Sequence, residues 1–238
     1  MPNHKAWLIR ILTEIADSLE LSSNLRFKGG TCAAMLGFLD RFSVDLDFDI
    51  SSDVDEKKLR QKFHAIFKKF DLEVKQESKK ALEFWVRYEA PANMRNTIKI
   101  DALNWQVKAN KYQPQYLAEI DRFMVCQTIE TMFANKLVAV WDRWRKTKSI
   151  AARDIYDIHH FYLKDYVYLP EIIEERTGML VKKYLEWLSE FIRKHVTERL
   201  IDEDLNALVQ PAQFQKIRKT LKQETLMAIG GDLTKNWI

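Results

Sequence analysis

Cysteine is scarce in this chain. Its 238 residues include two, Cys32 and Cys126, and no C-x-x-C pair or Cys/His cluster surrounds either. That excludes a disulfide scaffold and a structural zinc site, and fits a reduced cytoplasm. No run of 18 apolar residues occurs, and the opening stretch MPNHKAWLIRILTEIADSLE alternates polar and apolar groups as an amphipathic helix does. With no membrane span and no basic-then-apolar leader, the protein is expected to be soluble, unexported and free of membrane contact. Glycine and proline number only six and five, and they form neither a low-complexity linker nor an internal repeat. Neither G-x-G-x-x-G nor G-x-x-x-x-G-K-[ST] is present, so the two common phosphate-loop fingerprints are missing. A strong excess of one charge is also missing. The net charge is +4 and the pI about 8.9, too mild to diagnose a nucleic-acid binder and compatible with one.

What is present is a full core, with 47% apolar residues, in two contrasting halves. After the opening helix, residues 25–28 read as a strand, GGT as a tight turn and residues 32–39 as an apolar helix. An acidic strand follows, then a helix over 53–70 and strands at DLEVKQ, ALEFWVRYEA and NTIKIDAL. From Gln127 onward the periodicity predicts helices over 127–145, 150–163, 171–176, 179–200 and 212–228. The glycine pair in IGGDLTKNWI is expected to end the last helix and release a mobile tail. This is an α/β half followed by an α half, and a cleft between two such halves is a common place for a ligand.

The chemistry concentrates in FKGGTCAAMLGFLDRFSVDLDFDI, residues 27–50. In a strand, Asp45, Asp47 and Asp49 project to one face while Val44, Leu46 and Phe48 project to the core. Three carboxylates that close repel unless cations offset them, and the available cations are Arg or Lys side chains or a hard divalent metal with oxygen ligands. Alone, Asp-x-Asp also describes a solvated acidic edge strand. The preceding Gly29, Gly30 and Thr31 add a turn whose backbone N–H groups can approach a phosphate at a helix N-terminus, with Thr31 able to cap the helix or bond a phosphate oxygen. Turn and acidic strand together supply both parts of a metal–triphosphate site.

Further along, TIKIDAL, residues 97–103, alternates so that Thr97, Lys99 and Asp101 share one face. In TIETMFANKLVAVWDR, residues 128–143, Lys136 lies in an apolar helical stripe between Met132, Phe133, Ala139 and Val140; it either snorkels to water or serves a ligand. ARDIYDIHHF, residues 152–161, carries Arg153, Asp154 and Asp157, and an Arg and an Asp four apart on a helix can simply pair. RWRKTKS gathers Arg143, Arg145, Lys146 and Lys148 around Trp144 just after Trp141. It reads equally as an RNA-backbone and base-stacking patch or as a helix end with its tryptophans packed inward.

These blocks, in this order, resemble the nucleotidyltransferases of the AbiEii/AbiGii toxin type, a branch of the polymerase-β-like superfamily. The resemblance rests on KGGT, on RFSVDLDF with Arg41 and Ser43 ahead of Asp45, on the strand holding Asp101, on Thr128, Glu130 and Lys136, and on the R-D-x-x-D segment. It implies a polymerase-β-like α/β domain over 1–126 and a helical domain over 127–238. It implies an enzyme that moves a nucleoside monophosphate from an NTP to an acceptor hydroxyl and releases pyrophosphate, with Asp45, Asp47 and Asp101 as ligands of Mg²⁺, or of Mn²⁺ in its place. Asp45, Asp47, Asp101 and Lys136 are the catalytic residues so implied. Gly29, Gly30, Thr31, Arg41, Ser43, Lys136, Arg153 and Asp154 are the nucleotide contacts. The implied setting is the toxin half of a bacterial toxin–antitoxin or phage-defence pair, with a cognate antitoxin as partner and RNA, first the 3′ end of tRNA, as acceptor. Small-molecule and protein acceptors, and a nucleotide-binding module without turnover, stay open.

Overall fold

The computed structural model describes residues 2–104 and 106–235. The chain forms two compact units, the first from Met1–Gly37, Ser43–Gln106 and Tyr112–Gln127, the second from Phe38–Phe42, Val107–Lys111 and Thr128–Ile238.

The first unit is a seven-stranded mixed sheet with helices. Its elements are α1 (Pro2–Asp17), α2 (Leu19–Asn24), β1 (Leu25–Lys28), α3 (Gly29–Met35), β2 (Leu46–Ile50), α4 (Glu56–Lys69), β3 (Glu73–Glu77), β4 (Leu82–Arg87), β5 (Thr97–Leu103), β6 (Tyr112–Leu117) and β7 (Arg122–Gln127). The strands lie in the order β3-β4-β5-β2-β1-β7-β6. β2 runs antiparallel to β1 and parallel to β5, so both its edges are paired. Alternation drives the assembly. Leu46 and Phe48 of β2, Phe27 of β1, Ile98, Ile100 and Ala102 of β5, and Leu82, Phe84 and Val86 of β4 are all fully buried, and Phe27 meets its cross-strand partner Phe48 with ring centroids 5.3 Å apart. Burial of this apolar set contributes about 1.5–3 kcal/mol per large side chain, enough to offset the poor strand propensity of the aspartates that alternate with it.

Several local expectations need correction. The glycines do not form a turn ahead of a helix at residues 32–39. The helix starts at Gly29 itself and ends at Met35, because Gly29 takes φ +78° immediately after the extended Lys28, and Gly37 at φ +75° follows the helix end. The helix expected from residue 53 begins at Glu56, where the Asp55 carboxylate accepts hydrogen bonds from the backbone N–H groups of Lys57 and Lys58 at 2.9 and 3.3 Å. The hairpin of β6 and β7 has little sequence signal, since β6 holds Pro114 and is an edge strand, where a missing N–H is tolerated.

The second unit is helical: α5 (Ile129–Thr147), α6 (Ala152–Leu163), α7 (Pro170–Thr177), α8 (Val181–His195), α9 (Glu198–Leu205), α10 (Pro211–Ile217) and α11 (Leu221–Leu233). The Thr128 hydroxyl caps α5 by accepting from Thr131 N–H. The helix predicted over 179–200 is two, divided where Thr197 caps α9 by accepting from Leu200 N–H at 3.2 Å. That predicted over 212–228 is also two, α10 and α11. Gly230 and Gly231 lie inside α11 rather than ending it, and its last turn is anchored by buried Asp232, which accepts hydrogen bonds from the Tyr162 and Tyr168 hydroxyls, each at 2.8 Å. The last three positions of the expected tail, 236–238, lie outside the described residues. α6 is buried on nearly every side, its Asp154 and Asp157 included. Charges at that depth need partners.

Candidate active site

In the first unit, strand register brings the acidic residues together. Asp47 of β2 lies directly opposite Lys28 of β1 on one side and opposite Asp101 of β5 on the other, and Asp101 lies opposite Glu83 of β4. One row therefore reads Lys28, Asp47, Asp101, Glu83 across four strands. Asp45 stands just before β2, half-buried like Asp47, and the Thr31 hydroxyl donates to the Asp45 backbone carbonyl at 2.5 Å. Thr31 is 4% exposed; its hydroxyl fixes the segment that presents Asp45. A Cβ on Gly29 would lie 2.9 Å from the Asp47 Cβ and closer still to its Oδ2. At this position only glycine leaves the Asp47 side chain its place.

The third aspartate of the strand behaves differently. Asp49 is buried and saturated: Lys28 Nζ lies 2.5 Å from its Oδ1, and the Tyr112 hydroxyl and Gln127 amide donate to its Oδ2 at 2.9 and 2.8 Å. It is the internal counter-ion of Lys28. Asp101 is half satisfied. Its Oδ2 accepts from Lys99 Nζ at 2.7 Å, while its Oδ1 is buried with no hydrogen-bond partner. Lys99 also lies 2.7 Å from Glu83 Oε1 and 5.3 Å from the centre of the Trp85 ring; burial opposes its charge, but these two carboxylates outweigh that and raise its pKa. Ser43 is half-buried with no side-chain hydrogen bond to a described residue. Among the described residues, no group of three or more His, Cys, Asp or Glu side chains converges closely enough to hold a metal ion. Still, the donors around Asp47 and Asp101 are all hard oxygens, and the orphaned Asp101 Oδ1 is an atom that a cation would satisfy, so the residues fit a divalent metal.

In the second unit, Arg41, Lys136, Asp154 and Asp157 form a chain of ion pairs. Arg41 Nε and a terminal nitrogen grip both oxygens of Asp157 at 2.5 and 2.6 Å. Lys136 Nζ lies 2.8 Å from Asp157 Oδ2 and 3.8 Å from Asp154 Oδ1, and Arg143 binds Asp154 Oδ2 at 3.0 Å. Burial would raise the pKa of Asp157, but the charges of Arg41 and Lys136 overcome it and hold the carboxyl below its usual range. Lys136 does not snorkel to water; its ammonium turns to buried carboxylates. The R-D-x-x-D segment is not a self-contained pair either, since Asp157 takes Arg41 and Lys136 while Arg153 stands half-buried with no ion pair to a described residue. Trp141 and Trp144 pack edge-on against Trp187 and Phe191 of α8, at 4.7 and 5.2 Å. Arg145, Lys146 and Lys148 remain exposed.

Sequence reasoning missed Glu83, Trp85 and the partners of Asp49. Glu83, Trp85 and Arg87 do alternate with buried Leu82, Phe84 and Val86, so their shared face was readable, but not which strand they face.

Three solved structures share this fold. A candidate nucleotidyltransferase from Helicobacter pylori is 23% identical, with a TM-score of 0.61, covering 99% of this chain and 97% of that one. The JHP933 protein of Helicobacter pylori, also 23% identical, has a TM-score of 0.58 with coverages of 97% and 92%. An antigenic nucleotidyltransferase-like protein from Paracoccidioides brasiliensis is 14% identical, with a TM-score of 0.50 and coverages of 89% and 96%. At such identities the likeness is one of fold, and it is the fold that the motifs led us to expect. No curated protein matches the chain significantly. The family model of the AbiEii toxin, a nucleotidyl transferase of type IV toxin–antitoxin systems, matches residues 10–229, within which every block from KGGT to R-D-x-x-D falls. The chain therefore belongs to the AbiEii nucleotidyltransferase toxin family.

Proposed function

We propose that this protein is a Mg²⁺-dependent nucleotidyltransferase that transfers a nucleoside monophosphate from an NTP to an acceptor hydroxyl, first the 3′ end of tRNA. The observation that carries the reading is the direct cross-strand pairing of Asp47 with Asp101, with Gly29 clearing the space for Asp47 and Asp101 Oδ1 left buried and unpartnered. Asp45, Asp47 and Asp101 would hold Mg²⁺, or Mn²⁺, which when bound neutralises triphosphate charge and lowers the pKa of the acceptor hydroxyl.

The acceptor oxygen attacks the α-phosphorus, the bond to the bridging oxygen of pyrophosphate breaks, and pyrophosphate leaves. Asp101 accepts the proton of the acceptor hydroxyl as general base. Gly29, Gly30 and Thr31 bind the β- and γ-phosphates through backbone N–H groups, because the Thr31 hydroxyl is already spent on the Asp45 carbonyl. Ser43 is a further phosphate contact. Lys136 carries positive charge for the pyrophosphate as it forms, with Arg41 and Asp157 fixing its ammonium and Asp154 and Arg153 completing the nucleotide-binding set. Exposed Arg145, Lys146 and Lys148 suit an RNA backbone. The biological setting is a cytoplasmic toxin, acting in phage defence and neutralised by a cognate antitoxin.

Incubation of purified protein with total bacterial RNA, Mg²⁺ and each α-labelled NTP, beside the Asp45→Ala/Asp47→Ala variant, tests this on a denaturing gel. The expected result is a labelled tRNA-sized band that the variant lacks. Equal labelling by a folded variant sinks the mechanism; label on protein or small molecules alone moves the acceptor there.

A further inference from the structure

Lys99 has a split attachment. Its ammonium stands 2.7 Å from Asp101 Oδ2 and 2.7 Å from Glu83 Oε1, over the ring of Trp85. Two of these three partners belong to β4: Trp85 is the cross-strand partner of Lys99, and Glu83 is the cross-strand partner of Asp101. The ammonium can thus give up Asp101 and remain paired with a carboxylate and an aromatic face. Asp101, by contrast, cannot give up Lys99 without a replacement cation, because both its oxygens would then lack a partner, its Oδ1 already being buried and unpaired.

From this asymmetry we infer that Lys99 is a displaceable placeholder for the divalent cation. In the metal-free protein it holds Asp101, and when the ion enters it withdraws to Glu83 and Trp85. The inference rests on the reading of Asp45, Asp47 and Asp101 as metal ligands. Glu83 and Lys99 are then positioning residues, since they act on the site through Asp101.

Direct Mn²⁺ binding, followed by the electron paramagnetic resonance of the free ion, separates the possibilities without reference to turnover. The proteins compared are wild type, Asp47→Asn, Lys99→Met, Glu83→Gln and the Lys99→Met/Glu83→Gln double variant, each checked by thermal melting, with Lys99→Gln replacing Lys99→Met if the latter melts early. Removing the competing charge should tighten Mn²⁺ about tenfold in Lys99→Met. Glu83→Gln should weaken it several-fold where Lys99 is present and change it by less than about twofold in the Lys99→Met background, where there is no ammonium to park. Unchanged or weaker binding in Lys99→Met, with binding still lost in Asp47→Asn, overturns the placeholder alone. Equal weakening by Glu83→Gln in both backgrounds makes Glu83 a ligand and likewise overturns it. Absence of Asp47-dependent Mn²⁺ binding in every protein overturns the metal reading and this inference with it.

Discussion

Gly29→Ala provides a sharp perturbation of the acidic site because the fold supplies its own control. Gly29 and Gly37 have nearly the same backbone, φ +78° and +75°, but a Cβ on Gly37 meets nothing within 4 Å, whereas one on Gly29 lies 2.9 Å from the Asp47 Cβ and 3.0 Å from its Cγ. Left-handed backbone costs an alanine about 1–2 kcal/mol, partly offset by about 0.4–1 kcal/mol from the stiffer unfolded chain. Gly37→Ala should therefore lose about 1 kcal/mol. Gly29→Ala pays this and an overlap of about 1–3 kcal/mol, and rotation of the Asp47 side chain cannot relieve it, because the Cβ is fixed to the strand. β2 or the start of α3 has to shift. Displacement of a catalytic group by about 1 Å typically costs about 100-fold in rate. The assay is transfer of label from α-labelled NTP alongside thermal melting of each variant. Gly29→Ala should fall about 100-fold or more in transfer and melt several degrees below Gly37→Ala, which should keep activity within about threefold. Equal losses in the two variants, or near-normal transfer by Gly29→Ala, would refute the role given to the close approach of Gly29 and Asp47.

Asp157→Ala strands Arg41, whose side chain is 4% exposed, and leaves Lys136, at 19%, with Asp154 at 3.8 Å, and should lower stability in urea unfolding by about 3–5 kcal/mol; Arg153→Ala, which breaks no ion pair to a described residue, should stay within about 0.5 kcal/mol. Because the pKa of Asp157 is depressed by folding, its stabilisation is complete above the unfolded carboxylate value of about 4 and lost as pH falls through the lower folded value, an acid limb that Asp157→Asn should remove from the stability profile. Asp49→Ala should cost about 2–4 kcal/mol by leaving Lys28 without its counter-ion, yet keep Mn²⁺ affinity within about threefold, whereas Asp47→Asn should lose Mn²⁺ binding; the same pair of melts and titrations checks both. Replacing Arg145, Lys146 and Lys148 by alanine should weaken tRNA binding and reduce the slope of log K against log salt by about 0.7–0.9 for each phosphate contact removed; an unchanged slope would exclude this patch from the RNA interface.

Much of this was legible because it depends on local rules. Alternation in TIKIDAL put Asp101 on the face opposite Ile98, Ile100 and Ala102, and the structure keeps that division. The helical stripe marked Lys136 as an anomaly, and an anomaly it is, turned into a buried ion-pair chain. The element ends were less legible. The GGT segment looked like a turn because glycines usually make turns, but here φ > 0 at Gly29 starts the helix at once. Gly230 and Gly231 looked like a helix stop, but Asp232, held by two tyrosine hydroxyls distant in sequence, keeps that turn helical. Partners on other elements have no local signature: nothing in RFS announces that Arg41 grips Asp157, or in LEFWV that Glu83 shares Lys99 with Asp101.

The same limit governs the three aspartates themselves. Their period of two gives them one face but cannot divide them, because equal spacing along β2 says nothing about what lies across it. The neighbouring strands make the division. Asp49 faces Arg26 of β1 and Leu103 of β5 in the register, and its oxygens are taken by Lys28, Tyr112 and Gln127. Two residues earlier, Asp47 faces Asp101 across the sheet and the bare Cα of Gly29 beside it. One carboxylate is neutralised by Lys28 within the sheet; the other sits opposite a second carboxylate, which Lys99 holds from its own strand. A one-residue slip of β5 against β2 would set Asp47 opposite Ile100 or Ala102 and break the pair without altering a single motif. The placement of these aspartates is thus a property of register, and strand pairing rather than composition decides which of them meets a second carboxylate.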